Sequence, residues 1–107
     1  MHLMKDLNKD FLNCAVALHR RALVIDSHCD TTQRLLDPHW DFAARHADWH
    51  VDIPRLREGG VDALVLAVYA PQPAERDLGV AAAKAQLDRT HETVRRYNDS
   101  LVLARTA

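Results

Sequence analysis

A ten-residue apolar run limits the fold of this chain more than any other feature of its sequence. VDALVLAVYA, residues 61–70, is almost continuously apolar and contains several β-branched side chains. Such a run is typical of a central parallel strand that is covered on both faces, and Pro71 and Pro73 then end it. The chain therefore needs structure on both sides of this strand.

Helix and strand patterns alternate around this run. Apolar residues at helical spacing predict a leading amphipathic helix within residues 1–21, and ALVI, residues 22–25, predicts a short buried strand. DIPRLREGG, residues 52–60, predicts one or two helical turns that Asp52 caps and a glycine ends. Residues 36–51 carry two tryptophans and three histidines without clear periodicity, and we interpret them as an ordered loop.

A long helix and a third strand complete this order. An apolar stripe predicts the buried face of the helix, and LVLA, residues 101–104, predicts the strand. The stripe consists of Val80, Ala83, Leu87, Val94 and Tyr97. Strands that alternate with helices are typical of an α/β protein with a parallel sheet. We therefore interpret residues 1–107 as a single partial domain, in which residues 22–107 form the first β/α units.

The predicted sheet is incomplete. A parallel sheet of two or three buried-type strands leaves its faces and edges uncovered unless more chain supplies neighbours. We therefore expect the 107 residues to be a piece of a larger protein. Homo-oligomerisation through the open edges is the alternative for a complete small domain.

Composition and charge exclude several kinds of partner. The 14 basic and 15 acidic residues give a formal net charge of −1, so no strong field recruits nucleic acid or anionic lipid. No stretch approaches the roughly 18 apolar residues of a membrane span. Only two cysteines occur, Cys14 and Cys29. They fit a reducing compartment better than a disulfide framework, and we expect a cytoplasmic protein.

Polar residues with metal-binding side chains follow the first predicted strand. In LVIDSHCDTT, residues 23–32, His28 and Asp30 are two apart and share one face of an extended chain, whereas Cys29 points away. Imidazole and carboxylate are both good zinc ligands, and the carboxyl end of a strand is where parallel α/β folds build their sites. Asp26 has the same parity and could orient a ligand. The simpler alternative is that these residues only enter a polar loop, because a catalytic zinc normally needs about three protein ligands.

Three further positions have a functional and a structural interpretation. Tyr69 lies near the end of the second strand and could border a substrate pocket, although packing is the simpler role. His46 and His50 are four apart, as in zinc-binding helices, but the glutamate expected after the first histidine is missing. We therefore interpret both histidines as loop or surface residues.

Two motifs resemble a known family. VIDSHCD, followed by HVDIPRLREGGVDALVLAVYAP, is similar to the amino-terminal part of the membrane dipeptidase (renal dipeptidase) family, peptidase family M19. The resemblance covers Val24 to Pro71, and the second motif is its more specific part. The chain departs from the family at Ser27, where glycine is usual, and at Asp62 and Leu64 to Leu66, where the family often has glycine and an aromatic-rich strand. These departures concern substrate detail more than metal binding.

This resemblance implies a distorted (β/α)8 barrel of the TIM-like, metal-dependent hydrolase type that holds two zinc ions. His28 and Asp30 would bind one of the ions. The bridging glutamate, the two later histidines and the aspartate that moves the proton in that family have no counterpart in this sequence. A complete barrel needs about 250 residues, so we expect an amino-terminal portion that carries a metal half-site and no catalytic residue.

The resemblance implies a zinc-dependent dipeptidase as the full-length protein, with short peptides as substrates. Two alternatives stay open. The chain could be a catalytically inactive barrel fragment that acts through self-association or partner binding. A related dizinc amidohydrolase, acting on another amide, a lactone or a lactam, is the other alternative.

Overall fold

The computed structural model describes residues 2–69 and 76–106. Along the chain, these residues form α1 (His2–Arg21), β1 (Ile25–Cys29), a 3₁₀ helix (Thr31–Leu36), α2 (Ile53–Gly59), β2 (Ala63–Leu66) and α3 (Arg76–Arg96). The predicted order of helix, strand, short helix, strand and long helix is confirmed. The result is a mixed α/β structure with an open sheet.

The two strands pair in parallel, as the sequence predicted. Ile25 lies opposite Ala63, Asp26 opposite Leu64 and Cys29 opposite Leu66, and the register shifts between Asp26 and Cys29. Beyond β2, the backbone N–H of Ala67 donates to the carbonyl of Cys29 over 2.8 Å. The carboxyl ends of both strands therefore meet at one edge of the sheet.

The limits of both strands differ from the prediction. β1 begins at Ile25 rather than Ala22 and contains polar residues that we expected to follow it. β2 covers only Ala63–Leu66, and its side chains alternate between exposed and partly buried. Val65 is 52% exposed, as expected for a sheet of two or three strands whose faces no further chain covers. The end of the predicted strand, Ala70, lies outside the described residues.

The predicted third strand is absent from the part of the chain that the structure describes. Residues 101–104 adopt irregular backbone, and Val102 is 90% exposed. An apolar tetrapeptide becomes a strand only where a neighbouring strand offers hydrogen-bond partners. Apolar character alone was therefore an insufficient signal.

The predicted apolar stripe of α3 is only partly buried. Three of its five members are partly buried, and the other two, Val80 and Leu87, are 70% and 48% exposed. Among the described residues of this helix, the buried side chains are Gln86 and Thr93, and the helix packs against the 3₁₀ helix. A hydrophobicity pattern cannot detect the burial of these polar residues.

The small core forms between the segment interpreted as a loop and the helices on either side of it. Leu35, Trp40, Phe42 and Ile53 form its buried cluster. The rings of Trp40 and Phe42 stack with their centroids 5.6 Å apart. The side chains that pack around this cluster are Trp49, Val51, Leu56, Tyr97 and Leu101. The irregular backbone after the 3₁₀ helix is therefore ordered by its own aromatic residues.

Helix α2 forms as its sequence predicts. The Asp52 side chain accepts a hydrogen bond from the backbone N–H of Arg55, Pro54 lies in the first turn, and Gly60 ends the helix in the left-handed region at φ 64°. A β-carbon at Gly60 would lie 3.2 Å from Nε2 of His19, and that nitrogen is 2.6 Å from the Gly59 carbonyl. Glycine at position 60 therefore allows the left-handed backbone and leaves room for the His19 ring.

Gly60→Ala is expected to lower the free energy of unfolding by about 1–2 kcal/mol, the cost of a left-handed conformation with a β-carbon. Gly59→Ala is the matched control, because nothing lies within 4 Å of a β-carbon there and its backbone is helical. We expect that control to be neutral or stabilising. Equal losses in the two variants, measured by urea denaturation, would contradict this assignment.

Helix α1 leaves large apolar side chains exposed. Phe11 is 72% exposed and Leu12 63% exposed. The molecule is elongated, with extents of 62 × 31 × 29 Å. Among the described residues, no helix is both long enough and apolar enough to cross a membrane.

Candidate functional site

The end of β1 brings His28 and Asp30 together. Nε2 of His28 lies 3.3 Å from Oδ1 of Asp30, and both side chains face solvent, being 70% and 53% exposed. This is the pairing that their spacing predicted. An imidazole nitrogen and a carboxylate oxygen are therefore adjacent and accessible at the sheet edge where parallel α/β folds place their sites.

The Asp26 side chain is hydrogen-bonded to the backbone of His28. Its Oδ1 accepts a hydrogen bond from the N–H of His28 over 3.0 Å. The contact lies within the register shift between β1 and β2, where the regular ladder is interrupted. Asp26 thus supports the backbone that carries His28, in line with a supporting role rather than direct ligation.

Two buried threonines follow Asp30 and fix the chain on its other side. The hydroxyl of Thr31 lies 3.1 Å from Sγ of Cys29 and accepts a hydrogen bond from Nε1 of Trp49 over 3.3 Å. The hydroxyl of Thr32 lies 2.5 Å from the Ala67 carbonyl. Cys29 is buried, so the prediction that it faces away from its polar neighbours is confirmed.

A buried glutamine connects α3 to the same edge of the sheet. Oε1 of Gln86 lies 2.8 Å from the Thr32 hydroxyl. The same oxygen accepts from the backbone N–H of Tyr69 over 3.2 Å, and Nε2 donates to the Tyr69 carbonyl over 2.6 Å. The sequence pattern gave no indication of Gln86, because a single glutamine on a long helix is ordinarily assigned to the solvent side.

The structure places Tyr69 at the edge where the metal-ligand candidates lie, beyond the carboxyl end of β2. Its backbone is paired with Gln86, while the residue is 52% exposed. Both roles considered for its side chain, pocket border and packing, stay predictions.

The donor chemistry at this edge fits part of a zinc site. His28 and Asp30 supply ligand types that zinc commonly takes. Within residues 2–69 and 76–106, no three His, Cys, Asp or Glu side chains lie close enough to hold a metal ion together. The described residues therefore offer two donors, fewer than the about three protein ligands of a catalytic zinc site.

The other histidines considered for metal binding, His46 and His50, make contacts within the loop. Nε2 of His46 lies 2.6 Å from the Asp41 carbonyl, and its ring stacks on Trp40 with centroids 4.7 Å apart. His50 lies against Trp49. The backbone here is irregular, so the helical spacing of the two histidines has no geometric meaning. Their interpretation as loop residues is confirmed.

Two carboxylates outside the candidate site are held ionised by hydrogen bonds. The phenol of Tyr97 donates to Asp41, which lowers the pKa of Asp41 and raises that of Tyr97. Burial alone would raise the pKa of Asp52, but hydrogen bonds from the backbone N–H groups of His46 and Arg55 and from the Arg55 guanidinium outweigh it, so the pKa of Asp52 is lowered. Both groups secure the loop and α2.

A comparison with family models identifies a match over nearly the whole chain. Residues 12–107 match the model of the membrane dipeptidase family, peptidase family M19. The matched region includes both strands, α2, α3 and the residues at the sheet edge. A search among curated proteins gave no match. The chain therefore belongs to the membrane dipeptidase family, peptidase family M19, a family of dipeptidase-type hydrolases.

Proposed function

We propose that this chain provides the first half-site of a zinc-dependent dipeptidase. The observation that carries the proposal is the His28–Asp30 pair, accessible at the carboxyl edge of the parallel strands. Family membership supports the reaction class. We propose that the intact protein forms a TIM-like barrel that binds two zinc ions.

In this proposal, the residues of this chain hold a metal ion and orient its ligands. A nitrogen of His28 and a carboxylate oxygen of Asp30 would hold one ion, and Asp26 would keep the His28 backbone in place. When bound, zinc would supply polarisation of the scissile carbonyl and activation of water at neutral pH. Tyr69 would border the space that receives the substrate. No residue of this chain is assigned as the acid or base.

The proposed partner is a short peptide, a dipeptide first of all. A net charge of −1 gives the chain no field that would gather nucleic acid. The proposed compartment is the cytoplasm, on the ground that Cys14 and Cys29 are free thiols.

The test is hydrolysis by the intact gene product loaded with zinc. We expect release of free amino acids from a panel of dipeptides, and loss of that activity on treatment with a chelator. The panel should also contain other amides, a lactone and a lactam. Cleavage of one of these and of no dipeptide would favour a related amidohydrolase, and an inactive zinc-loaded protein would overturn the proposal.

Self-association is the second candidate function, because the structure leaves apolar strand and helix side chains exposed. Ile25 of β1 and Val65 of β2 are 55% and 52% exposed. An open strand edge is a template for pairing with another chain. A stable homo-oligomer without hydrolytic activity, measured by light scattering during size-exclusion chromatography, would favour this function over the first.

A further inference from the structure

Asp30 is held by its neighbours rather than by its own side chain. It occupies the residue before the 3₁₀ helix, where an aspartate often accepts hydrogen bonds from the first N–H groups. Here its side chain makes no such capping bond, and its Oδ1 faces His28 instead. The position of the carboxylate therefore depends on the backbone that follows it.

That backbone is anchored through Thr32, two residues after Asp30. Thr32 is fully buried, and its hydroxyl lies 2.5 Å from the Ala67 carbonyl and 2.8 Å from Oε1 of Gln86. Ala67 follows β2, and Gln86 lies on α3. Both of these partners are acceptors and the hydroxyl has one proton. Thr32 therefore donates to one of them at a time, and joins the end of β1 either to the end of β2 or to the helix.

Gln86 is buried for its hydrogen bonds and not for apolar packing. It is only 2% exposed, and a buried amide costs free energy unless its polar atoms are paired. Both polar atoms of the amide are paired. Oε1 accepts from the Tyr69 N–H and lies within hydrogen-bond distance of the Thr32 hydroxyl, and Nε2 donates to the Tyr69 carbonyl. An apolar side chain would fill the same space without holding either strand end.

We propose that Thr32 and Gln86 are positioning residues of the metal half-site. Thr32 fixes the backbone that follows Asp30 and thereby sets the distance of the Asp30 carboxylate from His28. Gln86 holds the Tyr69 backbone, and thereby keeps the end of β2 beside the end of β1. This inference rests on the proposed function, because it assumes that His28 and Asp30 bind zinc.

The test is zinc affinity of the intact gene product, measured by competition with a chromophoric chelator. Removing a supporting partner of a metal ligand typically weakens metal binding 10- to 100-fold. We expect Thr32→Val and Gln86→Leu each to weaken zinc binding about tenfold. Thr32→Ser keeps the hydroxyl and should bind zinc more tightly than Thr32→Val, close to the wild type.

Thr93→Val is the matched control for loss of a buried hydroxyl. Thr93 lies on the same helix and is buried, but its hydroxyl donates to the Arg89 carbonyl of its own helix. The control should lose stability without losing zinc affinity. A thermal melt of each variant separates loss of folding from loss of positioning, and Thr32→Ser still tests the hydroxyl if Thr32→Val does not fold.

The outcomes distinguish this inference from the proposed function. Unchanged zinc affinity in folded Thr32→Val and Gln86→Leu would overturn the positioning role alone, as would an equal loss in Thr93→Val. Weak binding by Thr32→Ser would overturn the role of its hydroxyl. Both proposals would be overturned if the wild type bound no zinc. They would also be overturned if His28→Ala bound zinc as tightly as the wild type.

Discussion

Replacing His28 with alanine in the intact, zinc-loaded protein is expected to lower dipeptide hydrolysis by at least about 100-fold, because loss of a supporting residue alone costs 10- to 100-fold. The imidazole is one of two donors that the described residues bring to the carboxyl edge of the sheet, within 3.3 Å of the Asp30 carboxylate. Zinc content, measured on the purified variant, should fall together with activity.

His39→Ala is the control for loss of an exposed histidine. His39 lies in the loop after the 3₁₀ helix and is exposed, and its backbone N–H is bonded to Asp37. The control should keep both zinc and activity. Asp30→Asn should resemble His28→Ala, since the amide keeps the shape of the carboxylate but not its charge. Full zinc content in both His28→Ala and Asp30→Asn would place the ligands elsewhere.

Local signals predicted those parts of the fold that depend on neighbours in the chain. Asp52, Pro54 and Gly60 define α2 because capping and left-handed backbone are local requirements. The spacing of His28 and Asp30 likewise predicted that their side chains lie close together on one side of the chain. Such reasoning could not predict long-range hydrogen bonds, which pair the buried Gln86 of α3 with Thr32 and Tyr69.

Gln86 illustrates the limit most clearly. A helix-periodic pattern assigns a polar residue to the solvent side, yet Gln86 is buried because Thr32 and the Tyr69 backbone offer partners 54 and 17 residues away. Val80 and Leu87 of the same helix are exposed, although both are apolar. Hydrophobicity ranks side chains by their cost in water, and it contains no information about partners that the fold brings together.

The ion pair between the buried Asp52 and the partly buried Arg55 should make the largest single contribution to stability among the ion pairs of the described residues. Oδ2 of Asp52 lies 2.7 Å from Nε of Arg55, and the Asp52 side chain is fully buried. Asp52→Ala leaves the Arg55 guanidinium, which is 29% exposed, without a counter-ion and with only the Trp49 carbonyl as a partner, and it removes the cap of α2. We expect a loss of about 3 kcal/mol in the free energy of unfolding, as for other buried pairs broken on one side.

Glu58→Ala is the control for loss of a carboxylate, because Glu58 pairs with Arg45 at an exposed position. Exposed pairs contribute less than about 1 kcal/mol, and urea denaturation at pH 7 should therefore separate the two variants clearly. Similar losses in both would show that burial of Asp52 carries no extra stability.

The contribution of Asp52 should also depend on pH in a defined direction. Its pKa in the folded chain is lowered from the ordinary value of 3.8, so the folded state holds the ionised form more strongly than the unfolded state does. The resulting stability is fully present above the unfolded-state pKa of about 3.9 and is lost as the pH falls through the folded-state value. Asp52→Asn keeps a capping oxygen but has no proton to gain. The difference in unfolding free energy between the wild type and Asp52→Asn should therefore be constant above about pH 5 and shrink below about pH 4, whereas a difference that stays constant down to pH 2 would show that the charge of Asp52 contributes nothing.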